Sequence, residues 1–131
     1  MPASLLLVTP DLGLVDAVYG ALDRAIGARV WIWHEPAAEP AVRVLSVCRF
    51  RLVLLDVTLV EAAPDWMLPS FKQAAPETPL ALLGTELGRH GAARPLFYGA
   101  AATVPRGDLA SLVGAVRQIL GGPEPPTDRR P

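Results

Sequence analysis

The stretch Arg51-Leu52-Val53-Leu54-Leu55-Asp56-Val57-Thr58-Leu59 sets four consecutive large apolar residues ahead of one carboxylate. A run that short, with no polar alternation, predicts a strand buried on both faces of a parallel sheet. Ligands of open α/β sheets gather outside the carboxyl ends of the strands, so Asp56 stands where a site would be built. Asp56 is equally a candidate cap of the turn that follows it.

The elements around this strand repeat its logic. Leu5 to Val8 is a short apolar run closed by Thr9-Pro10-Asp11, after which Val15, Val18, Leu22 and Ile26 recur at helical spacing. Gly27 falls where that helix would end, and Arg29-Val30-Trp31-Ile32-Trp33 has the β-branched and aromatic character of a second strand. A helix is predicted from near Glu39, with Ala41, Val42, Leu45 and Cys48 on one face. Between Pro64 and Ala75 a helix carrying Trp66, Leu68 and Phe71 is expected, with Pro69 interrupting or restarting it. Pro79 to Leu83 is a fourth strand closed by Gly84-Thr85, and a fifth lies near Ala102-Thr103-Val104. Gly88, Gly91 and Pro95 leave only a short or broken helix between Glu86 and Tyr98. Asp108 is a good N-cap for a last helix with Leu109, Leu112, Val113, Val116, Ile119 and Leu120 on its apolar face, ended by Gly121-Gly122.

Five strands alternating with helical segments predict a doubly wound α/β domain with a five-stranded parallel sheet, in the flavodoxin-like order 2-1-3-4-5. Strands one and three are then neighbours, and the segments after Val8 and after Leu55 flank one crevice. Residues 1–122 form the predicted domain; 123–131 are a Pro-rich tail expected to be disordered.

Composition narrows the function. In 131 residues, 51% hydrophobic, there is ample material for one core. Twelve basic against 13 acidic side chains, with Lys72 the sole lysine, argue against a nucleic-acid surface. One cysteine, Cys48, excludes an intramolecular disulfide and a cysteine-based zinc cluster; its apolar neighbours predict a buried thiol. The first apolar run is too short for a secretory or membrane-spanning segment, so a cytoplasmic protein is expected. His34 and His90 stand apart and make no zinc pair. Trp31 and Trp33 alternate and share one side of their strand, where packing under a helix is expected before a partner or cofactor surface.

From Ser4 to Leu120 the chain resembles the receiver domain of bacterial response regulators. Leu52 to Leu59 is similar to that family's third strand with its phospho-accepting aspartate, Thr78 to Leu83 to its fourth strand, and Gly99-Ala100 followed by Thr103-Val104-Pro105-Arg106 to its passage into the last helix. The resemblance implies Asp56 as phospho-acceptor, with Gly84, Thr85 and Arg106 around the phosphate. It also implies an acidic pair after strand one to hold Mg²⁺, a hard ion that takes carboxylate oxygens. Here Thr9 and Pro10 stand at those places, and Asp11, next along, is either a metal ligand with Asp56 or a helix N-cap. Gly84 stands in place of the family's hydroxyl residue, with Thr85 beside it; Arg106 stands in place of its lysine, as a phosphate partner or a solvated cation.

The expected function is therefore a stand-alone, atypical receiver that is not an enzyme. It needs no cofactor, binds Mg²⁺ weakly at most, and has degraded phosphorylation at Asp56. The chain ends soon after its last helix, so output is expected through a protein partner or a histidine kinase, with neither nucleic acid nor membrane. The resemblance implies a contact face, and a homodimer interface, on the fourth helix, the fifth strand and the last helix: Arg94, Phe97, Tyr98, Arg106, Ser111, Ala115 and Gln118. The alternatives are a small flavodoxin-like ligand-binding or enzymatic domain, such as a flavin binder using Trp31, Trp33 or Trp66, and an adaptor with no ligand. Against an enzyme, the chain has no Gly-x-Ser-x-Gly, no P-loop and no Gly-rich turn after strand one, where Pro10 removes an N–H that a phosphate cradle would use.

Overall fold

The unbroken apolar runs do become the centre of a parallel sheet. The computed structural model describes residues 3–27, 30–63, 65–84, 100–105 and 107–121. Strands β1 (Ala3–Val8), β2 (Val30–Glu35), β3 (Leu52–Asp56), β4 (Leu80–Leu83) and β5 (Ala102–Val104) lie in the order β2-β1-β3-β4-β5, and every pair is parallel. This is the predicted flavodoxin-like topology.

Side-chain alternation along the strands divides the core in two. Leu6, Val8, Val53, Leu55, Leu80 and Leu82 point to one face, where α2 (Ala38–Val47) and α4 (Met67–Ala74) bring Ala41, Leu45, Leu68 and Phe71 onto them. Leu5, Leu7, Leu52, Leu54, Ala81 and Leu83 point to the other, under α1 (Leu12–Ala25) and α5 (Leu109–Leu120), which supply Val15, Val18, Leu22, Leu112 and Val116. Because both faces are covered, all five residues of β3 are buried, Asp56 among them. The Arg117 guanidinium of α5 donates to the Ala25 carbonyl at 3.0 Å, a cation on the negative end of α1.

Three details depart from expectation. Pro69 does not interrupt its helix: it is the third residue of α4, inside the first turn, where a backbone N–H has no intrahelical partner and nothing is lost. A separate short helix, α3 (Val57–Ala62), starts directly after Asp56. Cys48 is exposed rather than buried, because α2 stops at Val47 and the extended Cys48 backbone (φ −119°, ψ 149°) turns its side chain off the apolar face.

The tryptophan strand is an edge, and α2 does not cover it. Trp31 is opposite Ser4 and Trp33 opposite Leu6, on the α2 side of the sheet, yet they remain 67% and 45% exposed. Trp33 meets the buried Phe50 edge-on at 6.1 Å, and its indole N–H donates to Glu35 Oε2 at 2.9 Å. On the outer rim of β2, the Tyr19 hydroxyl of α1 donates to the Ile32 carbonyl at 2.8 Å. Among the described residues no helix is long and apolar enough to cross a membrane.

Candidate functional site

Strand register brings the candidate residues to the carboxyl rim of the sheet. Val8 pairs with Leu55, so Thr9 and Asp56, each one residue further on, are neighbours although 47 positions apart in sequence. Asp56 pairs with Leu83, which puts Gly84 just beyond it on the other side. Thr9 and Asp56 are the two buried polar residues among the described residues, at 0% and 1% exposure.

The Asp56 carboxylate accepts at both oxygens. Oδ2 takes the Thr9 hydroxyl proton at 2.6 Å; Oδ1 takes the Thr58 backbone N–H at 2.9 Å and the Thr58 hydroxyl at 2.8 Å. A buried carboxylate requires such donors, since an unsatisfied charge in a low-dielectric setting is costly. Through Thr58, Asp56 is the N-cap of α3. The capping and rim readings of Asp56 thus hold together.

Asp11 takes the helix-capping role. It is exposed, and its Oδ1 accepts from the Leu14 N–H at 3.2 Å at the start of α1. Its own N–H donates to Thr9 Oγ1 at 3.1 Å. Thr9 Oγ1 therefore links the two residues, accepting a hydrogen bond from the Asp11 backbone N–H and donating one to the Asp56 carboxylate. Sequence reading treats Thr9 as the mere absence of an acid. Its signal lay in position: the first residue past one buried strand faces the last residue of its neighbour.

Mg²⁺ needs carboxylate, carbonyl and water oxygens with lone pairs to give. Here Asp11 and Asp56 are the carboxylates, and both are engaged in capping. Among the described residues no group of three His, Cys, Asp or Glu side chains is placed to hold a metal ion. Among the described residues, Asp11 and Asp56 are thus the carboxylates at this rim that would hold a Mg²⁺ ion.

Gly84 sits at the end of β4 with its N–H on the Val104 carbonyl at 2.8 Å and a φ of 92°, a left-handed conformation that glycine adopts without strain. A hydroxyl residue is disfavoured there by backbone geometry. Thr85, Arg94, Phe97, Tyr98 and Arg106 lie outside the described residues, as does His90. Of the expected contact face, Ser111 and Gln118 are exposed on α5, and Ala115 is half-buried. His34 is the last residue but one of β2; its Nε2 donates to the Thr9 carbonyl at 2.8 Å.

No protein-family model matches the chain, and no characterised protein matches it by sequence. Solved structures do match in three dimensions. A response regulator from Thermotoga maritima superposes with a TM-score of 0.78 at 18% identity, over 93% of this chain and all (100%) of that one. The chain has the receiver-domain fold. Another protein with this receiver fold, the Thermotoga maritima response regulator DrrB, an OmpR/PhoB homologue, matches with a TM-score of 0.73 at 21% identity over 92% of this chain and 54% of DrrB, so the chain spans about half of DrrB's length. The receiver domain of sensor histidine kinase PA1611 from Pseudomonas aeruginosa PAO1 matches with a TM-score of 0.72 at 17% identity, over 93% of this chain and 100% of that one, and has a magnesium ion coordinated in its active-site cleft. Identities at this level speak for the receiver fold, not for a shared chemistry at its rim.

Proposed function

We propose that this chain is an atypical receiver domain of two-component signalling, a non-enzymatic module of residues 1–122 followed by the Pro-rich segment 123–131, which lies outside the described residues. In this reading it is cytoplasmic and works through contacts with a histidine kinase or another protein partner. Mg²⁺-dependent phosphorylation of Asp56 is degraded.

The observation that carries the reading is the 2.6 Å bond from Thr9 to Asp56. In-line phosphoryl transfer to a carboxylate is mostly positioning and charge neutralisation, so it needs an attacking oxygen with an accessible lone pair and cations for the phosphoryl oxygens. Asp56 is 1% exposed, and its oxygens already accept hydrogen bonds from Thr9 and Thr58. Thr9 contributes a hydroxyl where a second carboxylate would draw in a cation. Each feature slows the reaction without disturbing the fold, which is what a domain governed by partners would tolerate. The contact face in this proposal is the segment before β5, β5 itself and α5, through the exposed Ser111 and Gln118, with homodimerisation on that face as one form of the contact.

Incubation with millimolar acyl phosphate and Mg²⁺, followed by intact-mass measurement, tests the proposal. Unmodified protein is the expected result; prompt gain of one phosphoryl group, lost on Asp56→Asn, would overturn it.

A further inference from the structure

Thr9 is held on every polar atom it has. Its N–H donates to the Glu35 carbonyl at 3.1 Å, and its carbonyl accepts from His34 Nε2 at 2.8 Å. Its Oγ1 accepts from the Asp11 N–H at 3.1 Å and donates to Asp56 Oδ2 at 2.6 Å. With the backbone tied to β2 and the hydroxyl oriented by the start of α1, the Thr9 O–H has one direction in which to point. That direction is Asp56.

A carboxylate is rigid and planar, so its two oxygens turn together. While Oδ2 stays on Thr9, Oδ1 stays on the Thr58 N–H and hydroxyl and keeps the first turn of α3 capped. Turning Oδ2 outward carries Oδ1 away from Thr58. We propose that Thr9 is a latch on Asp56: it sets the carboxylate in the α3-capping orientation, so that Oδ2 turns away from Thr9 only as the first turn of α3 gives up its cap. Thr9 is in this sense a positioning residue, and α3 is the element that reports the state of Asp56. The inference deepens the reading of Asp56 as the responsive group of a receiver, but needs no phosphoryl chemistry.

The test couples two measurements on the full chain. A water-soluble carbodiimide with an amine converts accessible carboxyls to amides, and peptide masses give the Asp56 rate relative to the exposed Asp16 and Asp23. Hydrogen exchange gives the opening of Thr58 to Val60. Loss of one charge-assisted bond in Thr9→Val is expected to speed Asp56 labelling about tenfold. Exchange in α3 is expected to rise with it, while α5 is unchanged. Thr9→Ser, which keeps the hydroxyl, is expected to restore both. Asp56 labelling at the wild-type rate in Thr9→Val overturns the latch, as does faster labelling with no change in α3. Should Thr9→Val fail to fold, wild-type protein amidated at Asp56 serves: faster exchange at Thr58 is expected, and wild-type exchange there overturns the proposal. Because the reagent carries no phosphoryl group, these outcomes leave the acyl-phosphate result to judge the signalling reading separately.

Discussion

Thr9 donates its hydroxyl proton to Asp56 Oδ2 at 2.6 Å, and both residues are sealed from solvent at the carboxyl rim of the sheet. Replacing Thr9 by Val keeps the volume but removes the hydroxyl that bonds both the Asp11 N–H and Asp56 Oδ2. Hydrogen bonds to charged groups contribute about 1.5–3 kcal/mol, so Thr9→Val is expected to lower stability by about 2 kcal/mol and Thr9→Ser by clearly less. Urea denaturation midpoints at constant m-value check this.

Asp56 should show a graded series. Asp56→Asn retains an oxygen for the Thr58 N–H but sets an amide against the Thr9 hydroxyl, whereas Asp56→Ala removes the α3 cap and the bonds to Thr9 and Thr58. The expected order of stability is wild type, then Asn, then Ala. The alanine variant is expected to fall by about 2–4 kcal/mol, combining a lost cap with buried donors left unpaired. An Asp56→Ala protein as stable as wild type would contradict the buried hydrogen-bond assignment.

Gly84 should resist substitution. At φ 92° a β-carbon is strained, so Gly84→Ala and Gly84→Ser are each expected to destabilise by about 1–2 kcal/mol. Thermal denaturation of the two variants checks it. Equal losses would trace the cost to the backbone rather than to the serine hydroxyl.

Asp108 gives a pH signature. The Ser111 hydroxyl, donating to Oδ2 at 2.7 Å, and then the Ser111 N–H on Oδ1 at 3.1 Å hold its carboxyl below the ordinary carboxylate range. The unfolded chain therefore binds this proton more readily than the folded one. The contribution is fully present above the ordinary carboxylate pKa and is lost as pH falls through the lowered folded value. Asp108→Asn is expected to flatten the acid limb of stability below about pH 5, read as urea midpoint against pH.

Cys48 lies at the edge of a groove of about 340 Å³ lined with Leu45, Val47, Ala75 and Thr78. One thiol per chain is expected to react with an aromatic disulfide reagent in the native protein, at a rate that denaturant raises little. A thiol silent until unfolding would put Cys48 back in the core.

How much of this was legible in the chain depended on whether the cause was local. Leu52 to Asp56 and Leu80 to Leu83 carry their burial in their own composition, and their order was enough to place β1 beside β3. Asp108 announced its helix by residue type and position. Cys48 was misjudged because helical periodicity gives a face but not the residue at which the helix stops. Trp31 and Trp33 shared a side, as alternation requires; whether a helix covered that side depended on α2 packing over the sheet interior, with Phe50, rather than over its edge. For Asp56 the structure shows the capping role at a rim position: that position was legible, while its threonine partner emerged only when register joined residues from two strands.

The phenol of Tyr19 has a further meaning for association. Glu35 turns its carbonyl inward to Thr9, so the carbonyl of Ile32, three residues earlier on the same strand, turns outward, and Tyr19 occupies it. An incoming extended peptide meets an acceptor already taken at the middle of the flank of β2 that no described strand pairs. Lateral growth into larger sheets is thereby discouraged, even though two indoles lie bare beside that flank.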